Sequence, residues 1–258
     1  MTSPLSVAGL RGEIAVHDTD EQLHRAVAAW LAAASADAVT EHGSFSIALP
    51  GGSTPRRLYE LLASDEWRPR FRWEAWRVYF DDERASAPTD PASNYHLVRN
   101  ALLDHVAIPA GSVHRMRGES PDLDAAAREY SSLLESTLLP DPTGVPRLDC
   151  ALLGLGTNGH TASLFPGTPA LDVRDRWATR GLADYAPFDR ITLTFPTLNA
   201  SARVAFLVTG ESKRAALQAT AAGTVPAARV DPRHGTLHWF LDKAAGGGAP
   251  EAVRLSRD

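Results

Sequence analysis

Apolar and polar positions follow two different periods along the chain, and segments with one period alternate with segments with the other. Short runs that are nearly continuous in apolar residues, or that alternate with polar ones, predict β-strands. Longer stretches with apolar residues three or four positions apart predict amphipathic helices. The strand pattern covers residues 13–17, 44–49, 77–80, 112–116, 148–153, 190–195, 202–208 and 235–241. The helical pattern covers about 21–41, 56–63, 95–103, 122–139 and 213–222.

Strands that alternate with helices indicate an α/β fold, with a mostly parallel sheet and helices on both faces. The 258 residues contain no repeat and no long linker, so we expect one domain over residues 1–258. The carboxyl ends of parallel strands share one edge, and open α/β sheets place their binding sites there. The turns at Gly51, Asp82, Gly154 and Gly210 should therefore gather at this edge.

The most informative stretch begins with the apolar run 148–153, which predicts a buried strand. It continues as Gly154-Leu-Gly-Thr-Asn-Gly159, a G-x-G-x-x-G pattern that includes Gly156, and His160 follows directly. We expect a helix to begin at this histidine, so that strand, glycine turn and helix start would form an anion site. A histidine at the edge of such a site can supply acid–base chemistry, although a packing role is the alternative.

A second strand–turn–helix unit has the sequence Pro50-Gly-Gly-Ser-Thr-Pro55 at its turn. Proline suits the first position of the helix, which makes Thr54 the expected N-cap. The glycines Gly51 and Gly52 let the backbone pass close to a ligand. The pattern therefore predicts a phosphate site, with an ordinary capped turn as the alternative. It is not a Walker A loop, because no Gly-Lys-Ser/Thr follows.

Two further turns at the same edge carry charge. The strand 77–80 ends in Asp81-Asp82-Glu83-Arg84, where binding sites of such sheets lie, although a solvated acidic loop is the alternative. The order of residues does not show which of the three carboxylates faces a site. The strand 202–208 is followed by Thr209-Gly-Glu-Ser-Lys213, which places Lys213 in the first turn of a helix.

Composition excludes several partners. A net charge of −5 argues against nucleic acid as the main partner. No apolar run is long enough to span a bilayer, and the start, Met1–Leu5, does not resemble a signal peptide. The single cysteine, Cys150, lies in a predicted strand and cannot form an intrachain disulfide. We therefore expect a cytoplasmic protein without a membrane partner.

Three common enzyme classes fit poorly. A dinucleotide site needs an acidic residue about 20 positions after the glycines, at the end of a second strand, and no convincing strand occupies that region. A serine hydrolase needs G-x-S-x-G, which both Ser53 and Ser212 lack. A zinc hydrolase needs clustered ligands such as H-E-x-x-H, and the nine histidines are scattered. A phosphate-binding α/β enzyme with one well-placed histidine remains.

Four motifs, taken together, resemble the 6-phosphogluconolactonase family. They are Pro50-Gly-Gly-Ser-Thr-Pro55, Asp82-Glu-Arg84 with Ser93-Asn-Tyr95, Gly154-Leu-Gly-Thr-Asn-Gly-His-Thr-Ala-Ser-Leu-Phe-Pro166 and Thr209-Gly-Glu-Ser-Lys213. The resemblance extends over nearly the whole chain. It implies a modified Rossmann-like sheet, a phosphorylated sugar lactone as substrate, no cofactor and no metal, and the second step of the oxidative pentose phosphate pathway. A monomer or small homo-oligomer is consistent with it.

The resemblance also implies roles for individual residues. His160 corresponds to the catalytic histidine of the family, which would act as a general base on water. The phosphate loop corresponds to Gly51, Gly52, Ser53 and Thr54. Basic residues near the phosphate correspond to Arg84 and Lys213, and an acidic residue at the site corresponds to Asp82. Backbone N–H groups of the turn that contains Gly154, Gly156 and Gly159 are candidates to hold the oxyanion.

One position departs from the resemblance, and another separates this chain from a related group of enzymes. Many relatives have aspartate before the Gly-His pair, where this chain has Asn158, which can form hydrogen bonds but brings no charge. A sugar-phosphate-binding regulator without catalysis is therefore one alternative. The related glucosamine-6-phosphate deaminase/isomerase group is the other, and in it a glutamate lies five residues after the histidine. Phe165 stands at that position here, which favours the lactonase.

Overall fold

The computed structural model describes residues 9–247, so the expectation for Met1–Leu5 lies outside the described residues. The strands within this range are β1 Glu13–His17, β2 Phe45–Leu49, β3 Trp76–Phe80, β4 Asp82–Arg84, β5 Cys150–Gly154, β6 Ala178–Leu182, β7 Asp189–Leu193, β8 Arg203–Val208 and β9 Thr236–Asp242. The α-helices are α1 Asp20–His42, α2 Ser53–Ala63, α3 Asn94–Ala101, α4 Leu123–Thr137, α5 Phe195–Ala200, α6 Arg214–Ala221 and α7 Lys243–Gly246. None of the helices in this range is long and apolar enough to cross a membrane.

Six strands form one parallel sheet in the order β1-β9-β8-β5-β2-β3. The neighbouring interior strands β5 and β2 are almost continuously apolar, which is typical of strands that are covered on both faces. All five residues of β2 are buried, as are the first four of β5. The single thiol, Cys150, belongs to this buried layer. The α/β fold with a mostly parallel sheet, predicted from the alternation of patterns, is confirmed.

The long helix α1 shows how local sequence defines an element. Its N-cap is Thr19, whose hydroxyl accepts the N–H of Gln22. Its C-cap is Gly43, with φ of 83°, a left-handed conformation that glycine adopts without strain. Leu23, Val27 and Leu31, four residues apart, form one buried face. The helix therefore begins, ends and packs as its residues dictate.

The direction of chain connections reverses between β2 and β5, which are neighbours in the sheet. From β2 the chain goes through α2 to β3 on one side. From β5 it goes to β8 on the other side. The loops after these two strands therefore separate and leave a crevice above the sheet. Open α/β sheets bind their ligands at such a switch point.

A second, three-stranded antiparallel sheet, β4-β7-β6, stands at the carboxyl end of β3. The acidic run is thus a strand rather than a solvated loop, and Asp81 and Glu83 are buried. The strand β6 was not predicted, because its sequence Ala-Thr-Arg-Gly-Leu has little strand character. The expected strand 112–116 is wrong: only Val113 forms an isolated bridge, to Val78.

The expected helix at His160 is also wrong. Residues 155–168 form consecutive turns after β5 rather than a helix. Left-handed backbone at Gly159 (φ 80°), Ala162 (φ 46°) and Gly167 (φ 74°) interrupts any helical hydrogen-bond pattern here. The histidine is therefore presented on a turn and not at a helix start.

Candidate active site

The turns at the carboxyl edge of the sheet enclose a cleft of about 470 Å³. Most of the site residues expected from the sequence line this cleft: Gly51, Gly52, Ser53, Thr54, Asp82, Arg84, Gly154, Gly156, His160 and Lys213. Asn158 and Gly159 do not line the cleft but belong to the turn that carries His160. Four separate turns of the chain are therefore brought together at one place, as the parallel sheet requires.

The helix α2 begins earlier than expected. It starts at Ser53 with Gly52 as N-cap (φ 106°), and no side chain caps it. The first intrahelical bond runs from the Arg56 N–H to the Gly52 carbonyl. Thr54 is thus not the N-cap: it lies in the first turn, and its hydroxyl bonds that of Thr209 at 2.8 Å. The amides ahead of the first intrahelical bond have no partner within the helix, which suits an anion.

Among the three carboxylates, Asp82 is held at the cleft. The Asn94 side-chain amide donates to one of its oxygens at 2.6 Å, and the Ser163 hydroxyl donates to the other. Asp81 also lines the cleft, and its burial, together with the charge of Asp82, raises its pKa well above the usual value.

Glu83, in contrast, has a structural role. Its carboxylate accepts the Ser93 hydroxyl at 2.9 Å and the N–H groups of Asn94 (2.7 Å) and Tyr95 (2.9 Å). It therefore occupies the free amides at the start of α3. Burial raises the pKa of this carboxyl, and the hydrogen bonds act in the opposite direction. The alternation of side chains along β4 turns Glu83 away from the cleft that Asp82 and Arg84 line.

Two arginines lie side by side at the cleft. Arg84 on β4 is paired with Arg190 on β7, which places both side chains on one face of the small sheet. Arg84 donates to the Ala92 carbonyl at 2.6 Å. Arg190 is 1% exposed, and its Nε and Nη2 groups have no hydrogen-bond partner among residues 9–247. A buried guanidinium without an acceptor is costly, so an acceptor supplied by an anion would stabilise this side chain.

Lys213 adds a third cation to the cleft, from the turn after β8. Burial lowers its pKa from the usual lysine value. Together with Arg84 and Arg190 it forms a cationic wall of the cleft, and the open start of α2 lines the same cleft. A phosphate group between them would meet charge from the side chains and amide donors from the helix.

His160 is oriented by its own turn. The Asn158 side-chain oxygen lies 2.6 Å from His160 Nδ1 and 3.1 Å from its backbone nitrogen. The imidazole stacks on Phe165, with ring centres 3.9 Å apart. Burial lowers the pKa of His160 to about 4, and Lys213 and Arg190 lower it too, whereas Asp82 and Asp184 act in the opposite direction. At neutral pH the ring is uncharged and able to accept a proton.

The glycines of this turn place the imidazole. A Cβ at Gly156 would lie 2.1 Å from His160 Nδ1, and one at Gly159 would lie 2.4 Å from the Cβ of Val225. The Gly156 N–H donates to the His160 carbonyl at 2.8 Å, and the Gly159 N–H donates to the Gly156 carbonyl at 3.0 Å. These two amides are therefore engaged inside the turn and are not free to hold an oxyanion, contrary to expectation. Gly154 faces open space.

Sequence reasoning missed three residues at the site: Asp184, Tyr185 and Arg190. All three belong to the β6–β7 hairpin, whose first strand was not predicted. Tyr185 and Arg190 line the cleft, and Asp184 contacts Asn158. Their only sequence signal was an arginine at the start of a predicted strand. Within residues 9–247 no cluster of three or more His, Cys, Asp or Glu side chains could hold a metal ion.

Comparison with known proteins gives consistent matches. A family model described as glucosamine-6-phosphate isomerases/6-phosphogluconolactonase matches residues 18–239. A 6-phosphogluconolactonase from a Nostoc species is 41% identical over 214 residues, which is 81% of this chain and 86% of that protein. A 6-phosphogluconolactonase from a Synechocystis species is 42% identical over 218 residues, with the same shares of 81% and 86%. The solved structure of 6-phosphogluconolactonase from Trypanosoma brucei superposes with a TM-score of 0.81 at 28% identity, over 91% of this chain and 97% of that one.

Proposed function

The chain belongs to the glucosamine-6-phosphate isomerase/6-phosphogluconolactonase family, and on that premise we propose that it hydrolyses 6-phospho-D-glucono-1,5-lactone to 6-phospho-D-gluconate with His160 as general base. This is the second step of the oxidative pentose phosphate pathway. The single observation that supports the proposal best is an uncharged, oriented imidazole that shares one cleft with three cationic side chains. One domain would carry the whole reaction. We propose the cytoplasm as its location, because the reducing conditions there fit a chain whose single cysteine, Cys150, is a free thiol.

The phosphate of the substrate would bind at the cationic wall. Arg190 lacks an acceptor for its buried Nε and Nη2 groups among residues 9–247, and a phosphate supplies oxygens in the right geometry. Lys213 and Arg84 add charge, and the uncapped start of α2 adds amide donors. This anchor would place the lactone carbonyl beside His160.

The chemical step needs one base and one water molecule. His160 Nε2 takes a proton from water while the water oxygen bonds to the lactone carbonyl carbon. The bond from that carbon to the ring oxygen then breaks, and the proton on His160 passes to this leaving oxygen. Atoms balance without a covalent intermediate or a second reactant.

The low pKa of His160 supports the role of base at neutral pH. An imidazole must be neutral to accept a proton. Lowering its pKa widens the pH range in which the imidazole is neutral. Activity governed by this group would persist below pH 6.5 and would fall as the pH approaches about 4. Burial is the main cause of this shift.

Deamination of glucosamine 6-phosphate is the alternative within the same family. The relevant glutamate position is Phe165, which is 2% exposed and stacked under the imidazole. A phenyl ring can orient the histidine but cannot transfer a proton. The cleft thus holds the groups for attack by water and lacks a carboxylate at the position that deamination uses.

The test is an assay on freshly generated lactone, in which proton release is followed above the spontaneous rate. We expect clear acceleration by the wild type, and at least about a 10²-fold loss of kcat in His160→Ala. The matched control is His234→Ala, an exposed histidine at the opposite edge of the sheet, which should keep full activity. No acceleration by the wild type would indicate a sugar-phosphate-binding regulator, and ammonia release from glucosamine 6-phosphate would indicate a deaminase.

A further inference from the structure

We propose that Asp184 is a positioning residue for His160: acting through Asn158, it holds the imidazole in the base tautomer and supplies the negative charge that Asn158 itself lacks. This inference rests on the proposed function, because it assigns the means by which the base of that reaction is oriented. Three side chains form a chain of hydrogen bonds, from Asp184 to Asn158 at 2.8 Å and from Asn158 to His160 at 2.6 Å.

The orientation of Asn158 follows from what its neighbours can do. The backbone N–H of His160 can only donate, so the Asn158 atom 3.1 Å from it is the side-chain oxygen. The Asn158 nitrogen then faces outward and donates to the carboxylate of Asp184, which can only accept. Both ends of the amide are therefore specified independently, and both give the same orientation.

The tautomer of His160 follows in turn. The Asn158 oxygen cannot donate, so the hydrogen between it and the imidazole belongs to Nδ1. The lone pair is then on Nε2, which is the nitrogen that must accept a proton from water. If the amide of Asn158 rotated, its nitrogen would face Nδ1 and the lone pair would move there. Asp184 opposes this rotation because only the observed orientation gives its carboxylate a donor.

The β6–β7 hairpin brings Asp184 to this place. The Ala183 N–H donates to the Phe188 carbonyl at 2.7 Å and closes the loop that carries Asp184. The next residue, Tyr185, lies against the same histidine, with ring centres 6.4 Å from His160 and 5.8 Å from Phe165. Two adjacent residues of one hairpin loop thus contact the turn of the base.

Asp184 is the carboxylate that hydrogen bonds connect to the ring. The charged groups that act on His160 are Asp82 and Asp184 on the negative side, and Lys213 and Arg190 on the positive side. Asp82 is engaged with Asn94 and Ser163. When His160 becomes imidazolium during the reaction, a negative charge beyond the Asn158 amide stabilises it. Removing the charge of Asp184 should therefore lower the pKa of His160.

The experiment exchanges the amide and the carboxylate. Asp184→Asn keeps the shape and removes the charge, and we expect kcat to fall about tenfold with KM changed by less than about twofold. The acid limb of the pH–rate profile should move to lower pH. The double variant Asn158→Asp/Asp184→Asn restores one carboxylate and one amide in reversed order, and it should recover kcat relative to Asp184→Asn. Asp189→Asn, a carboxylate on the same hairpin that pairs with Arg180, is the control and should behave as wild type.

A second readout does not depend on substrate. Two-bond ¹H–¹⁵N correlation of the imidazole, assigned with His160→Gln, should show the Nδ1–H tautomer in the wild type and a mixture of tautomers in Asp184→Ala. Unchanged kcat, pH profile and tautomer in the Asp184 variants would overturn the inference, as would an impaired Asp184→Asn that the double variant fails to rescue. A wild type without lactonase activity would instead refute the proposed function, and the tautomer experiment would still decide the role of Asp184.

Discussion

Gly156 and Gly159 are both required in the turn of His160, but for different physical reasons. Gly156 has ordinary backbone angles, and what excludes a side chain is the imidazole that lies against its Cα. Gly159 has φ of 80° and also lies against Val225, so both conformation and space demand glycine there. The first glycine therefore places the base, while the second shapes the turn.

We predict that Gly156→Ala reduces kcat by about 10²-fold, because the added Cβ would displace the imidazole from its position next to Asn158. The control is Gly111→Ala, where the added Cβ meets nothing within 4 Å and the backbone angle is not left-handed. Steady-state kinetics on the lactone would measure the effect. Wild-type kcat in Gly156→Ala would mean that His160 does not need this position.

At the scale of secondary-structure elements, the pairing of β4 with β7 brings the two arginines of the cationic wall together. Cross-strand neighbours on one face of an antiparallel pair lie close together, and like charges there repel each other. Arg84 and Arg190 form such a pair, so the free protein tolerates a repulsion that a bound phosphate would relieve. The juxtaposition of the two arginines is thus set by the register of two short strands.

We predict that Arg190→Met raises KM by about 10- to 100-fold, since it removes charge-assisted hydrogen bonds to the phosphate. The same change should leave the melting temperature equal or higher, because an apolar side chain replaces a buried guanidinium without an acceptor. Arg180→Met, on the neighbouring strand and exposed, serves as the control for KM. Kinetics and thermal unfolding would test both parts, and a lower stability with unchanged KM would place the phosphate elsewhere.

At the scale of the molecule, the central strand β5 joins the core to the turn that carries His160. Its residues Cys150–Leu153 are fully buried, and the chain enters the turn of His160 directly after Gly154. Burial raises the pKa of the Cys150 thiol, which keeps it unreactive in the folded protein. The single cysteine therefore reports on opening of the core.

We predict that Leu152→Ala lowers the free energy of unfolding by about 2–5 kcal/mol, because it leaves a cavity in the central strand. The control is Leu139→Ala, at a side chain that is 74% exposed, with an expected change within about 0.5 kcal/mol. Urea titration would give the free energies. Labelling of Cys150 by a thiol reagent should be absent in folded wild type and faster in Leu152→Ala, and rapid labelling of the folded wild type would contradict the burial of this strand.

The sequence by itself determined the six strands of the parallel sheet, the longer helices between them, the glycine turns and the position of His160. These features depend on local periodicity and on residues adjacent in the chain, such as Thr19 before α1 or Gly156 before His160. The expectation that the turns meet at one edge also held, because any parallel sheet collects the carboxyl ends of its strands.

Only the tertiary structure decided how the base and the phosphate site are completed. The strands β4 and β7 pair across a long separation in sequence, and this register alone brings Arg190 beside Arg84. The contact between Asp184 and Asn158 spans 26 positions. A helix at His160 was expected from the motif, yet left-handed backbone at Gly159 and Ala162 gave a turn. Short strands and turns have weak local preferences, so long-range pairing determines where they form.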